Sequence, residues 1–76
     1  MNRAALKTVL ITGAASGLGW ELTRRYLSAG YHVLMLDVQE ELLQQRRSEI
    51  GPSDSIATAC INIADSAAVA EFCQRY

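Results

Sequence analysis

The spacing of apolar residues along this chain alternates between near-continuous runs and a helical repeat. Residues 7–12, KTVLIT, make a short β-branched apolar run, the pattern of a strand buried on both faces. Leu18, Leu22, Tyr26 and Ala29 then fall on one side of a helix, which Gly30 closes. On its solvent side, Glu21 is spaced to meet Arg24 and Arg25 at i+3 and i+4. HVLMLD, His32 to Asp37, predicts a second buried strand. A second helix over residues 39–50 carries Glu40 and Glu41 in its first turn and Arg46 and Arg47 in its last. That charge order complements the helix dipole, and Gly51-Pro52 stops the helix. Residues 55–62, SIATACIN, predict a third strand. Asp65 then caps a third helix whose Val69, Phe72, Cys73 and Tyr76 fit i, i+3, i+4, i+7.

Strands this apolar, separated by helices, pair in parallel and need cover on both faces. Right-handed crossovers set the three strands side by side in the order 3-2-1. The expected fold class is therefore α/β, a single βαβαβα unit without repeat or linker.

Composition narrows the picture. The chain has 76 residues, half of them apolar and a fifth charged, which is globular composition. A chain this short buries only roughly 60% of the surface it exposes when unfolded, so it stands near the limit of independent stability. The net charge is −1 and basic residues come at most in pairs, which argues against nucleic acid or an anionic membrane as partner. No apolar run approaches the ~18 residues of a membrane span. Arg3 and Lys7, ahead of the apolar residues that follow, faintly resemble a signal peptide, but Thr12-Gly13 breaks that run. Cys60 and Cys73 lie thirteen apart, in a strand-like and a helix-like run, which suits buried, reduced thiols in a cytoplasm-like compartment.

The chemistry concentrates where the first strand meets the first helix. Three glycines, Gly13, Gly17 and Gly19, stand there, and a simple reversal of direction needs only one. Gly13 permits the sharp turn, Gly17 lets backbone approach a ligand, and Gly19 allows close packing of helix on strand. Free N–H groups and the positive end of the helix dipole then make an anion site suited to a pyrophosphate. The Gly-Lys-Ser/Thr ending of a P-loop is missing, which argues against a magnesium-bound nucleoside triphosphate. Asp37 follows Gly19 by eighteen positions, near the ~20-residue offset of a ribose-binding acid.

TGAASGLG, residues 12–19, resembles the Thr-Gly-x-x-x-Gly-x-Gly coenzyme motif of the short-chain dehydrogenase/reductase family. Ser16, where the extended branch of that family has glycine, favours the shorter branch. The resemblance covers essentially the whole chain. It implies that residues 1–76 are the N-terminal NAD-binding half of a Rossmann domain, truncated before the fourth strand. It also implies that the backbone around Ser16 and Leu18 lines the phosphate and nicotinamide-ribose path. Asp37 would bind both adenosine ribose hydroxyls and repel a 2′-phosphate, with no basic side chain at Ser16 or Val38 to offset it; NAD is expected over NADP. NIAD, residues 62–65, is similar to the family's adenine-binding stretch, so Asn62, in place of the usual Asp, and Ile63 are expected at the adenine. Asp65 is read as the helix cap alone.

Family enzymes transfer hydride with a Ser, a Tyr-x-x-x-Lys pair and an Asn downstream of this region. None is present here: the residues four after Tyr26 and Tyr31 are Gly30 and Met35. The resemblance thus implies an NAD-dependent oxidoreductase interconverting an alcohol and a carbonyl by hydride transfer on a small-molecule substrate, working as a dimer or tetramer, with its catalytic residues outside this chain. The alternative is a naturally short, non-catalytic protein that binds nucleotide or docks on a relative. Of the remaining residues, His32 is read as structural or solvated, and Trp20, across the helix from Leu18 and Leu22, as half-buried under a neighbouring loop or exposed as a subunit contact.

Overall fold

A computed structural model describes residues 7–75. Arg3 of the signal-like segment and Tyr76 of the third helical stripe lie outside the described residues. Six elements alternate: β1 (Thr8–Thr12), α1 (Gly17–Ser28), β2 (His32–Asp37), α2 (Glu40–Ile50), β3 (Ile56–Cys60) and α3 (Ser66–Gln74). The strands form one parallel sheet in the order β1-β2-β3, the expected 3-2-1 arrangement read from the other edge. Thr8 pairs with His32 and Thr12 with Leu36, while Val33 pairs with Ile56 and Asp37 with Cys60. All six elements lie where periodicity placed them, with ends shifted by a residue or two.

Alternation along the strands divides the core. On one face Ile11, Val33 and Met35 pack with Ala14, Ala15 and Leu43 beneath α1 and α2. On the other, Leu34 and Leu36 meet Phe72 and Val69 of α3. The central strand is buried on both faces, as its sequence predicts: Val33 through Asp37 are all buried. Full burial of one such side chain stabilises by about 1.5–3 kcal/mol. β1 is different. Its Ile11 is buried, but Leu10, on the α3 side, remains 39% exposed because α3 covers only β2 and β3. Burial of this strand on both faces is therefore not seen.

The helix ends follow local chemistry. α1 closes with Gly30 at φ 89°, where its N–H donates to Leu27 O and the Tyr31 N–H donates to Tyr26 O. The Tyr26 and Tyr31 rings meet edge-on at 4.9 Å, the apolar contact that accompanies this type of helix stop. Asp65 caps α3 by accepting the Ala68 N–H at 3.0 Å. Glu21 pairs with Arg24 at 3.7 Å and Arg25 at 3.1 Å on the exposed face of α1.

The inward face of α1 departs from its apolar stripe. Leu18 is 75% exposed and Leu22 and Ala29 are also exposed, while Thr23 is buried and Trp20, Tyr26 and Leu27 are half-buried. Gly19 sets this rotation. It faces the C-terminal end of β1, so Thr23, one turn on, and Tyr26 and Leu27, two turns on, follow it inward. The Thr23 hydroxyl is satisfied locally, donating to Gly19 O at 2.8 Å.

Candidate functional site

The turn from Gly13 to Ser16 is tied down peptide by peptide. Gly13 and Gly17 take positive φ, 62° and 56°, conformations that disfavour an L side chain. Between them, Ala14 and Ala15 are fully buried. The Ala14 N–H donates to Leu36 O at 3.1 Å, carrying the β1–β2 pairing into the turn. The Ala15 N–H donates to Asp37 Oδ2 at 3.0 Å, and Ala15 O accepts from Arg46 Nε at 2.8 Å.

Gly19 is compulsory for steric reasons. A Cβ there would stand 2.0 Å from the carbonyl oxygen of Gly13 and 2.7 Å from its carbon. α1 thus starts directly against the end of β1. Ser16 precedes it in extended conformation, and its side chain makes no capping bond. Among the described residues, the backbone N–H groups of Ser16, Gly17, Leu18 and Gly19 have no hydrogen-bond partner. These are the orphan donors of a helix N-terminus, a place where an anion can be held.

Asp37 ends β2 beside this turn and is only 5% exposed. Its Oδ1 accepts the Gln39 N–H at 2.9 Å while Oδ2 holds Ala15. Burial by itself would raise the pKa of this carboxyl, but backbone N–H donors at Gln39, Ala15 and Val38 outweigh it, and the group lies below its ordinary value of 3.8.

Past the ends of the strands, Gly13 and Asp37 share a groove of about 340 Å³ with Thr12, Val38, Asn62 and Ile63. The structure thus brings Gly13, Asp37, Asn62 and Ile63 together, with Ser16, Gly17, Leu18 and Gly19 on the adjoining turn. Asn62 is engaged locally, its Oδ1 accepting the Ala64 N–H at 2.9 Å. Val38 and Ile63 are largely exposed beside the groove, apolar walls suited to a flat ring. Among the described residues no group of three His, Cys, Asp or Glu side chains could hold a metal, and no helix is long and apolar enough to cross a membrane.

Sequence reasoning missed one part of this site. Trp20 is half-buried, but the element over it is α2 rather than a loop: the Arg46 guanidinium lies 4.8 Å from its ring centroid. Arg46 reads in the sequence only as a dipole-complementing charge near a helix end. Its tie to Ala15 spans 31 residues and leaves no local signal.

An open parallel sheet with helices on both faces, and a glycine-rich turn and a buried acid at its carboxyl edge, is a Rossmann-type nucleotide-binding architecture. Residues 7–76 match the family model described as short chain dehydrogenase, and the chain belongs to the short-chain dehydrogenase/reductase family. A short chain dehydrogenase/reductase of Macrophomina phaseolina is 39% identical over 71 residues, covering 91% of this chain and 41% of the relative. An NADP-dependent 3-hydroxy acid dehydrogenase of Escherichia coli is 35% identical over 63 residues, 83% of this chain and 25% of the relative. Among solved structures, a 3-ketoacyl-(acyl-carrier-protein) reductase from Brucella melitensis complexed with NADH superposes with a TM-score of 0.74 at 32% identity, covering 86% of this chain and 27% of that one. The chain thus spans between about a quarter and two fifths of the length of these relatives.

Proposed function

We propose that this chain is the NAD(H)-binding part of a short-chain oxidoreductase that interconverts an alcohol and a carbonyl. The observation that carries the reading is the pairing of a buried, ionised Asp37 with a turn whose next four N–H groups have no partner among the described residues. The residues fit a dinucleotide. The N–H groups of Ser16, Gly17, Leu18 and Gly19 would hold the pyrophosphate. Asp37 would accept from the adenosine ribose hydroxyls, and Asn62 and Ile63 would border the adenine. When bound, the nicotinamide supplies or accepts the hydride. The residues that handle the substrate's proton and oxygen would lie outside this chain.

A fixed carboxylate at the ribose favours NAD over NADP, because a 2′-phosphate there would meet like charge. Arg46, the basic side chain that touches the turn, is already paired with Glu49 at 3.1 Å. The same reading makes a small-molecule alcohol or carbonyl the substrate and a homodimer or homotetramer the working assembly. Cys60 is exposed at the end of β3 and Cys73 half-buried on α3, so neither thiol is buried as expected; as free thiols they suit a reducing, cytoplasm-like compartment.

Calorimetric titration of the natural full-length protein with NADH and NADPH tests this. NADH should bind more tightly, and Asp37→Asn, which keeps size and removes charge, should narrow the preference. NADPH binding as tightly as NADH to the unaltered protein would sink the NAD assignment.

A further inference from the structure

Three consecutive peptides of the glycine-rich turn are anchored, and their anchors come from two different elements. The 13–14 peptide is held by Leu36 O and the 14–15 peptide by Asp37 Oδ2, both on β2. The 15–16 peptide is held by Arg46 Nε, from α2. This last anchor sits directly before the free N–H groups.

A trans peptide is planar, and its C=O and N–H point in opposite directions. No cis peptide occurs among the described residues. Holding Ala15 O against α2 therefore turns the Ser16 N–H away from α2. Were Arg46 absent, the 15–16 peptide would be free to rotate between its anchored neighbour and the helix start.

Arg46 is itself immobilised. Its guanidinium lies over the Trp20 ring, 4.8 Å from the centroid, its Nη1 donates to Glu49 Oε2 at 3.1 Å, and its side chain is only 24% exposed. A planar guanidinium can stack and donate in its own plane at once, which a lysine ammonium cannot do. A charged donor also makes the stronger hydrogen bond to a carbonyl.

We propose that Arg46 is a positioning residue for the coenzyme: by holding Ala15 O, it aims the Ser16 N–H at the pyrophosphate. This rests on the NAD(H) reading above. Arg46 touches no ligand atom. Its effect is confined to ligands that carry a pyrophosphate, and adenosine, which has none, does not feel it.

The test uses the natural full-length protein and its Arg46→Met and Arg46→Lys variants, titrated with NADH, NADPH, ADP-ribose and adenosine. Methionine keeps the apolar stem over Trp20 and removes the donor. Arg46→Met should lose about tenfold in affinity for NADH and ADP-ribose, the equivalent of one charge-assisted hydrogen bond. Its adenosine affinity should stay unchanged, and Arg46→Lys should recover part of the loss. The loss should persist in about 1 M salt, where the Debye length is only ~3 Å.

Equal binding of all ligands by Arg46→Met and the unaltered protein overturns the proposal. So does a proportionate loss that includes adenosine, which marks general loosening of the fold. A loss that vanishes in high salt, or one confined to NADPH, also overturns it, since Arg46 would then act by bulk charge or as a 2′-phosphate ligand. Failure of the unaltered protein to bind ADP-ribose at all brings down the coenzyme reading instead. If thermal melting shows Arg46→Met unfolded, Arg46→Gln, shorter and still polar, carries the same comparison.

Discussion

Gly19 stands against the carbonyl group of Gly13, so close that an added Cβ would lie 2.0 Å from the oxygen and 3.1 Å from the Cα of Ala14. All of these neighbours are backbone, and the turn that carries them is anchored to β2. Gly19→Ala should therefore destabilise the fold by about 3 kcal/mol or more, the upper range for overpacking. Urea unfolding of the two proteins checks this, and a change under about 1 kcal/mol would show that the helix can withdraw from the strand.

Gly17 should behave differently. Its φ of 56° is unfavourable for an L residue, but nothing lies within 4 Å of its would-be Cβ. Gly17→Ala should cost about 1–2 kcal/mol of backbone strain while the fold is kept. Circular dichroism should show native helix content, and the melting temperature should fall less than for Gly19→Ala.

Asp37 makes the fold sensitive to acid. Its pKa in the folded chain lies below the ordinary value of 3.8, because backbone donors outweigh the opposing effect of burial. A folded pKa below the unfolded one gives stability that is complete above the unfolded value and is lost as pH falls through the folded one. The denaturation midpoint should thus decline below about pH 3.8 through this group. Asp37→Asn should remove that part of the slope and cost about 1–3 kcal/mol at neutral pH, since an amide cannot accept at both positions. An unchanged slope in the variant would assign the acid sensitivity to other carboxyls.

The free side of β1 should promote association. Among the described residues only β2 pairs with β1, and Leu10 is exposed on the face that α3 does not reach. Such an edge is a template for pairing with another chain. A polypeptide of residues 7–76 should self-associate at micromolar concentration in sedimentation experiments, and Leu10→Lys should shift it toward monomer. A cooperative, monomeric melt of the unaltered polypeptide would contradict this.

The division of labour between sequence and tertiary structure is clearest at α1. Periodicity located the helix, its Gly30 stop and its Glu21 pairs, because these depend on residues within one or two turns. The same periodicity chose Leu18, Leu22 and Ala29 as the inward stripe, and they lie outside. Small residues are nearly silent in an apolar count, yet a missing side chain at Gly19 decides which face can approach β1. The strand order was legible for a similar reason: apolar strands joined by helices have few ways to be covered, and the crossover hand selects one.

The candidate site divides in the same way. Gly13, Gly17, Gly19 and Asp37 were legible because turn geometry and the approach of backbone to an anion demand particular residue types at particular spacings. Tertiary structure alone brought Arg46 to Ala15 and Trp20 under Arg46. Those contacts depend on how α2 settles across the sheet beside α1, and no spacing along the chain encodes an angle between two helices.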